Sequence, residues 1–398
     1  MNEPLKFKLF SVYGKILHKD VLTEAFRKVK KNKGCAGIDK ISIKMFEENL
    51  DENIELILNE LRTKTYKPSP VRRKYIPKKN GKLRPLGIPT IKDRVVQQAL
   101  VTKLEPFFEE NVFHDNSCGF RPNRDVKLAI KKIVSRLESG YLYIYDFDIK
   151  GYFDNIPHKK LMKVINKYVS DGTVLDMIWK TLKAGYMEDE IRYETASGTQ
   201  QGGVISPLLA KANLEFVRYA DDSIVMCQTK EDLEKAKVIV HETLQRLGLE
   251  LAEDKSDDID FHKKDFDFLG FTHFNSKTRK GYYTVGHKIS RKKKKQFKSN
   301  LKKWVKMNRN TQFDEFMKAL NKKLTGSFNY YSLSGMIKEV RNLWQHSLYV
   351  TFKWLNRRSQ RRSFKLDKFY EIWNDRIIHP YIHVDIWSGD KVIYNKNV

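Results

Sequence analysis

Cysteine is scarce in this chain: Cys35, Cys118 and Cys227 are its three, odd in number and far apart. That spacing excludes a disulfide framework and the close ligand pairs of a zinc knuckle. No apolar run reaches the roughly 18 residues a membrane helix needs, so no span is expected. Residues 1–10 set Lys6 and Lys8 among apolar residues, without an apolar core segment or a small-residue cleavage site. No secretory signal is expected, and a cytoplasmic location fits. Negative charge is also in short supply: 49 Asp and Glu stand against 76 Lys and Arg, leaving a formal charge of +27. A solubility surplus rarely needs such an imbalance, and a polyanionic partner explains it better.

The 398 residues are 40% hydrophobic and 31% charged, enough to bury a core in two or three domains. The positive excess is uneven. Lys288 to Val398 holds 26 Lys and Arg against 8 Asp and Glu, two thirds of the total surplus. Apolar periodicity predicts helices over Val21–Lys31, Phe46–Leu61, Ile91–Phe108, His158–Val169, Val174–Ala184, Glu231–Leu247, Ser290–Met307, Phe313–Thr325 and Met336–Leu355. Strands are expected at Arg72–Ile76 and Tyr141–Ile149, and at Leu214–Arg218 and Ser223–Met226 around a tight turn. Lys78-Lys79-Asn80-Gly81-Lys82 reads as a basic hairpin turn. Helices on a small antiparallel sheet, followed by a basic helical region, make an α+β plan with an appended bundle.

Three aspartates fall at strand ends. Asp148 closes Tyr141–Ile149, and Asp221 and Asp222 fill the turn between the later two strands. Two adjacent carboxylates in a turn can simply be solvated. With a third on another strand and so basic a chain, divalent metal binding is the stronger reading, because hard carboxylate oxygens are what Mg2+ prefers. Two such ions about 4 Å apart activate a hydroxyl and stabilise a leaving phosphate, which is the chemistry of nucleotidyl transfer.

Six blocks then fall in a telling order: KYIPKKNGKLRPLGIP from Lys74, SCGFRPNR from Ser117, YDFDIKGYFDNI from Tyr145, GTQQGGVISPLL from Gly198, FVRYADD from Phe216 and FDFLGF from Phe266. Together they resemble the reverse transcriptases encoded by bacterial group II introns. The wording of DIKGYFDNI, QGGVISPLL and the tail phrase WLNRRSQRRS from Trp354 is closer to that group than to retroviral or telomerase enzymes. The resemblance implies a right-hand polymerase: fingers and N-terminal extension over residues 1–135, a palm over 136–285 and a helical thumb or maturase region over 286–398.

It also implies roles. Asp148, Asp221 and Asp222, with the backbone carbonyl of Ile149, would hold two Mg2+ ions, or Mn2+ in their place. Lys255 would protonate the leaving pyrophosphate. Phe153 would exclude a 2′-hydroxyl, and Ala220 would let the primer end approach. Gln201, Gly202 and Gly203 would line the nucleotide pocket, with Lys78 and Arg84 on the triphosphate. Phe268, Leu269 and Gly270 would grip the primer. Each has a plainer reading: core aromatics for Phe153 and Phe268, an exposed basic hairpin for Lys78 and Arg84, an ordinary loop lysine for Lys255. The tail interleaves Tyr330, Tyr331, Trp344, Tyr349, Trp354 and Phe364 with cations, and Phe297, Leu301 and Val305 recur every four residues under Lys292, Lys293 and Lys294. With Arg357, Arg358, Arg361 and Arg362 these are the expected contacts to structured RNA.

The expected partners are group II intron RNA, an RNA template with a DNA primer, dNTPs and a DNA target, with no membrane. The expected outcome is RNA-directed DNA synthesis alongside intron splicing and retrohoming. Three departures stand out. Only eleven residues separate Pro207 from Tyr219, leaving little more than one helical turn where the family carries a longer helix. Gln200 stands where it usually has proline, and Ser256 where it usually has threonine. No Cys/His endonuclease pattern follows the tail, and no second-strand cleavage is expected from these residues. The short segment keeps open a maturase without polymerase activity. A related reverse transcriptase serving host defence is the third reading.

Overall fold

The computed structural model describes residues 8–77, 81, 83–199, 203–211, 217–219, 222–277, 280–358 and 363–382, with backbone alone at 209–211 and 217–219. Asp221, Lys78, Gln201, Gly202, Arg361, Arg362 and Ala220 lie outside the described residues. The fold is α+β.

Three helices come first: α1 (Lys19–Lys31), α2 (Ile43–Glu48) and α3 (Leu50–Arg62). On α1, Leu22, Ala25, Phe26 and Val29 fall at helical spacing and are buried. A hairpin of β1 (Val71–Pro77) and β2 (Leu83–Ile88) follows, pairing Ile76 with Arg84 across the ladder. Next is α4 (Ile91–Asn111), which packs on α1 and whose first half is buried on every side. The polar residues of that half are therefore bonded. Asp93 accepts from the Thr90 hydroxyl at 2.7 Å, the Tyr66 hydroxyl at 2.7 Å and the Ser69 amide at 3.2 Å. Burial still outweighs those bonds and raises the Asp93 pKa, while burial beside Asp93 pushes Tyr66 up as well.

The chain continues through α5 (Val126–Glu138), β3 (Tyr143–Asp148), α6 (Tyr152–Asn155), α7 (His158–Ile165) and α8 (Gly172–Lys183). The helix expected to reach Val169 stops at Ile165, because Val169 pairs instead with Leu9. A short hairpin, β4 (Tyr186–Glu188) and β5 (Ile191–Tyr193), joins the first two strands in the order β2-β1-β4-β5. Then come α9 (Ser206–Lys211), β6 (Val217–Tyr219), β7 (Asp222–Cys227), α10 (Lys230–Leu247) and β8 (Asp257–Asp260). The second sheet has the order β6-β7-β3-β8. A third sheet, β11-β10-β9, is built from β9 (Phe266–Phe268), β10 (Phe271–Lys277) and β11 (Tyr283–Ile289). Four helices close the described chain: α11 (Arg291–Asn308), α12 (Phe313–Tyr331), α13 (Ile337–Leu355) and α14 (Leu366–Arg376).

The chain divides into two units. The first is Met1–Arg121, Phe147–Ser223 and Lys235–Ser256; the second is Pro122–Asp146, Ile224–Glu234 and Asp257–Val398. In the second unit α5 packs on β11, and α13 packs against α11, α12 and α14. Phe316, Leu320, Leu324, Phe328, Leu343, Phe369 and Trp373 form the core of that bundle. Most tail aromatics are therefore structural, whereas Tyr349 (59% exposed) and Tyr330 (37%) are not wholly absorbed. No helix among the described residues is long and apolar enough to cross a membrane.

Candidate active site

Asp148 is the last residue of β3 and Asp222 the first of β7, and these strands are neighbours in the sheet. Both aspartates fall in the first unit, which gathers the closing end of β3 with the opening end of β7. Beyond β3 the chain pairs with the segment after α10. The Lys150 amide donates to the Glu250 carbonyl at 2.9 Å, and the Ala252 amide donates to the Asp148 carbonyl at 2.8 Å. Those bonds flank Ile149, so its own carbonyl points away from Leu251 and toward the β7 side. The same pairing carries Lys255 to the site, where its ammonium is ion-paired to the Asp148 carboxylate. The Asp148 side chain is 26% exposed, so this carboxylate stays open to a ligand.

A compact turn follows. Phe153 sits on α6, half-buried, and its carbonyl accepts from the Thr199 amide at 2.7 Å. The Gly198 amide donates to Ile156 at 2.8 Å, and Nε2 of buried His158 donates to the Gly198 carbonyl at 2.7 Å. Burial lowers the His158 pKa, keeping the ring neutral as a single-proton donor. From α4, the Gln97 side-chain oxygen accepts from the Val204 amide at 2.9 Å, fixing the chain just ahead of α9. The segment Gly198–Leu209 is thus pinned on both sides of Gln201 and Gly202.

Gly198 is indispensable there. Its φ is +91°, and a Cβ would lie 2.7 Å from the Asp154 carbonyl oxygen. Gly198→Ala is expected to cost about 2–3 kcal/mol, through backbone strain and that clash. Thermal unfolding checks it: a variant melting with the wild type would remove the geometric argument.

The remaining expected residues are spread more widely. Arg84 is exposed on β2. In the second unit, Phe268 is buried, while Leu269 and Gly270 form the tight turn from β9 to β10 with φ of +50° and +85°. Leucine disfavours that conformation, and the turn is held from outside. The Tyr330 hydroxyl donates to the Leu269 carbonyl at 2.7 Å, and the Ser290 amide donates to Gly270 at 3.0 Å. Alongside runs a groove of about 550 Å3 between α11 and α12, lined by Lys293, Phe297, Asn300, Leu301, Lys323, Gly326, Ser327, Tyr330 and Tyr331. Lys292 and Lys293 are exposed, but Lys294 is tied to Glu339 at 2.6 Å within the bundle. Arg357 lies over the Trp354 ring at 5.6 Å. Arg358 has its Nε and one terminal nitrogen buried without a hydrogen-bond partner, and burial lowers its pKa.

Residues 76–273 match the family described as reverse transcriptase (RNA-dependent DNA polymerase). That match covers just under half of the chain. It is 38% identical over 218 residues to Protein YkfC of Escherichia coli (strain K12), covering 53% of this chain and 57% of that protein. It is 40% identical over 234 residues to the group II intron-encoded protein LtrA of Lactococcus lactis subsp. cremoris, covering 58% of this chain and 38% of that protein. Nuclear intron maturase 1, mitochondrial, of Arabidopsis thaliana is 38% identical over 95 residues, 24% of this chain and 13% of its own. The chain thus spans little more than half of the first of these relatives and less of the others. Reverse transcriptases generally use divalent metals, and their fingers-and-palm plan with a helical region matches the α+β architecture described above.

Proposed function

We propose that this chain is an RNA-directed DNA polymerase of the group II intron class that also binds intron RNA. The observation that carries the reading is the pairing of two strand-end carboxylates, Asp148 and Asp222, in one unit with a lysine ammonium seated on the first. The donor chemistry fits a hard divalent cation. Asp148 already accepts a cation, the Ile149 carbonyl faces the β7 side, and the oxygens are those Mg2+ prefers. Among the described residues no group of three His, Cys, Asp or Glu is assembled, Asp221 lying outside them. Two Mg2+ ions, or Mn2+, would make the primer 3′-hydroxyl nucleophilic and neutralise the departing pyrophosphate.

The protein's own groups do the rest. Asp148, Asp221, Asp222 and the Ile149 carbonyl hold the metals. Lys255 carries a proton on Nζ to the pyrophosphate oxygen as it leaves. Phe153 presents its ring under the sugar and excludes a 2′-hydroxyl. Gln201 and Gly202 line the nucleotide pocket, and Lys78 and Arg84 bind the triphosphate. Leu269 and Gly270, backed by Phe268, set the primer strand, and Lys293 beside them meets its phosphates. Lys292, Lys293, Arg357, Arg358, Arg361 and Arg362 contact intron RNA, with Lys294 contributing through its pairing to Glu339. Residues 1–135 serve as fingers, 136–285 as palm and 286–398 as thumb and maturase region. The substrates are dNTPs on an RNA template with a DNA primer, and the partners are intron RNA and a DNA target.

The six residues of α9 favour a second reading, a maturase without polymerase activity. Primer extension separates the two. Purified protein is given an RNA template, a DNA primer, Mg2+ and dNTPs, beside Asp221→Ala. Extension by the wild type alone supports the polymerase. Extension by neither, with tight binding to structured RNA, transfers the reading to the maturase. That binding is expected to weaken by about a thousandfold or more between 50 and 200 mM salt, as for a protein making six to ten phosphate contacts.

A further inference from the structure

Phe120 is anomalous on two counts. It is 55% exposed, and its φ is +57°, a left-handed conformation that costs a bulky side chain free energy. Its loop is otherwise built rigidly. The next residue, Arg121, is buried and holds one oxygen of Glu109, Oε2, at 2.8 Å from both Nε and Nη2, and its Nη1 donates to the carbonyls of His114 at 2.7 Å and Ser117 at 3.0 Å. Phe113 lies beneath the guanidinium, with 5.3 Å from its centre to the ring centroid. The arginine anchors this loop, so its rigidity does not depend on a left-handed phenylalanine. What the strain achieves is placement: the Phe120 ring meets the Phe153 ring edge to face, 6.4 Å between centroids and 83° between planes. Phe153 also meets buried Tyr152 edge to face, at 5.5 Å and 67°. Phe153 therefore contacts two aromatic rings while its backbone is fixed by Thr199.

We propose that Phe120 is a positioning residue for sugar selection, fixing the Phe153 ring so that deoxynucleotides are taken and ribonucleotides refused. The inference rests on the sugar-excluding role given to Phe153 above. A ring that can swing away admits a 2′-hydroxyl. One held in place by neighbouring rings does not, and a single edge-to-face contact is worth a small multiple in that preference.

The test measures kcat/KM for a dNTP and for the matching rNTP, using the full chain, an RNA template, a DNA primer and Mg2+. Phe120→Gly removes the ring and relieves the left-handed backbone, so the melting temperature should hold or rise. Phe120→Asn, which tolerates the same φ, provides a second ringless variant should glycine impair folding. Both are expected to lower the dNTP-to-rNTP ratio roughly three- to tenfold, through a lower KM for the rNTP with kcat for the dNTP nearly unchanged. Phe120→Tyr should keep the wild-type ratio. Phe153→Val is run alongside. If it collapses the ratio while the ringless Phe120 variants leave it intact, or lower use of both nucleotides equally, the positioning role is overturned and the Phe153 reading stands. If Phe153→Val itself leaves the ratio unchanged, the Phe153 reading fails and the inference falls with it.

Discussion

Asp148→Asn is expected to lower primer extension by about a thousandfold while leaving the fold intact. Asparagine keeps the size of aspartate, and the bond that anchors this position, Ala252 amide to Asp148 carbonyl at 2.8 Å, belongs to the backbone. What disappears is one negative charge from the proposed metal site, and with it the electrostatic stabilisation a two-metal transfer needs. The ion pair to Lys255 also goes. That lysine side chain is 60% exposed, and such pairs contribute little to stability. Melting temperature and activity should therefore separate: nearly the same unfolding transition, almost no product. Mn2+ binding followed by electron paramagnetic resonance supplies an independent readout and should weaken in step. A variant that still extends primers at a tenth of the wild-type rate would remove Asp148 from the catalytic centre.

The same stretch shows what the sequence makes legible. Strand β3 was expected over Tyr141–Ile149 and is found at Tyr143–Asp148, because alternating aromatic and β-branched residues suit a half-buried sheet. Strand β1 and the long α10 also follow from local pattern, as do α1, α3 and α4. The chain departs from local preference where tertiary packing overrules it. Helix α12 was expected to stop at Thr325, ahead of Gly326, yet it runs to Tyr331. Burying Phe328 and Tyr331 outweighs the roughly 1 kcal/mol that a helical glycine costs. The β4–β5 hairpin leaves no periodic signal, because three-residue strands are too short to show alternation. For the site, the aspartates could be read from their strand-end positions. The residues that hold the site in place could not: nothing in the chain announces that Gln97 reaches Val204, that His158 holds Gly198, or that Tyr330 closes on Leu269. Phe120 stood within a recognised block, but its importance is visible only in its φ and its neighbour.

Acid should loosen the sheet that carries the Leu269–Gly270 turn. Strands β10 and β11 place His273 directly opposite His287, with their Nδ1 atoms 3.3 Å apart. One ring donates its proton and the other accepts it, so the accepting nitrogen must be unprotonated, and both rings are buried where a charge is costly. Burial pushes His273 down to about 3, helped by His287, and pushes His287 down to about 4. Both folded values lie below the unfolded value of about 6.5. The unfolded chain therefore binds more protons in this window, and the stabilisation is full above about 6.5 and lost as pH falls toward 4 and then 3. Each histidine contributes about 1.4 kcal/mol per pH unit, so near pH 4.5 the pair removes about 5 kcal/mol. That is comparable with the whole stability of a small domain. Circular dichroism from pH 7 to pH 4, on the wild type and on His273→Gln with His287→Gln, reads the effect. The amide pair preserves a hydrogen bond but cannot take up a proton, so its acid midpoint should fall by about one pH unit. Equal midpoints would mean that carboxylates elsewhere govern acid unfolding. Because Phe266 stacks on His273 at 4.9 Å and Phe271 packs on Tyr330 at 5.8 Å, loss of this sheet would also release the turn that Tyr330 holds. Primer placement is therefore expected to fail as acid opens this sheet.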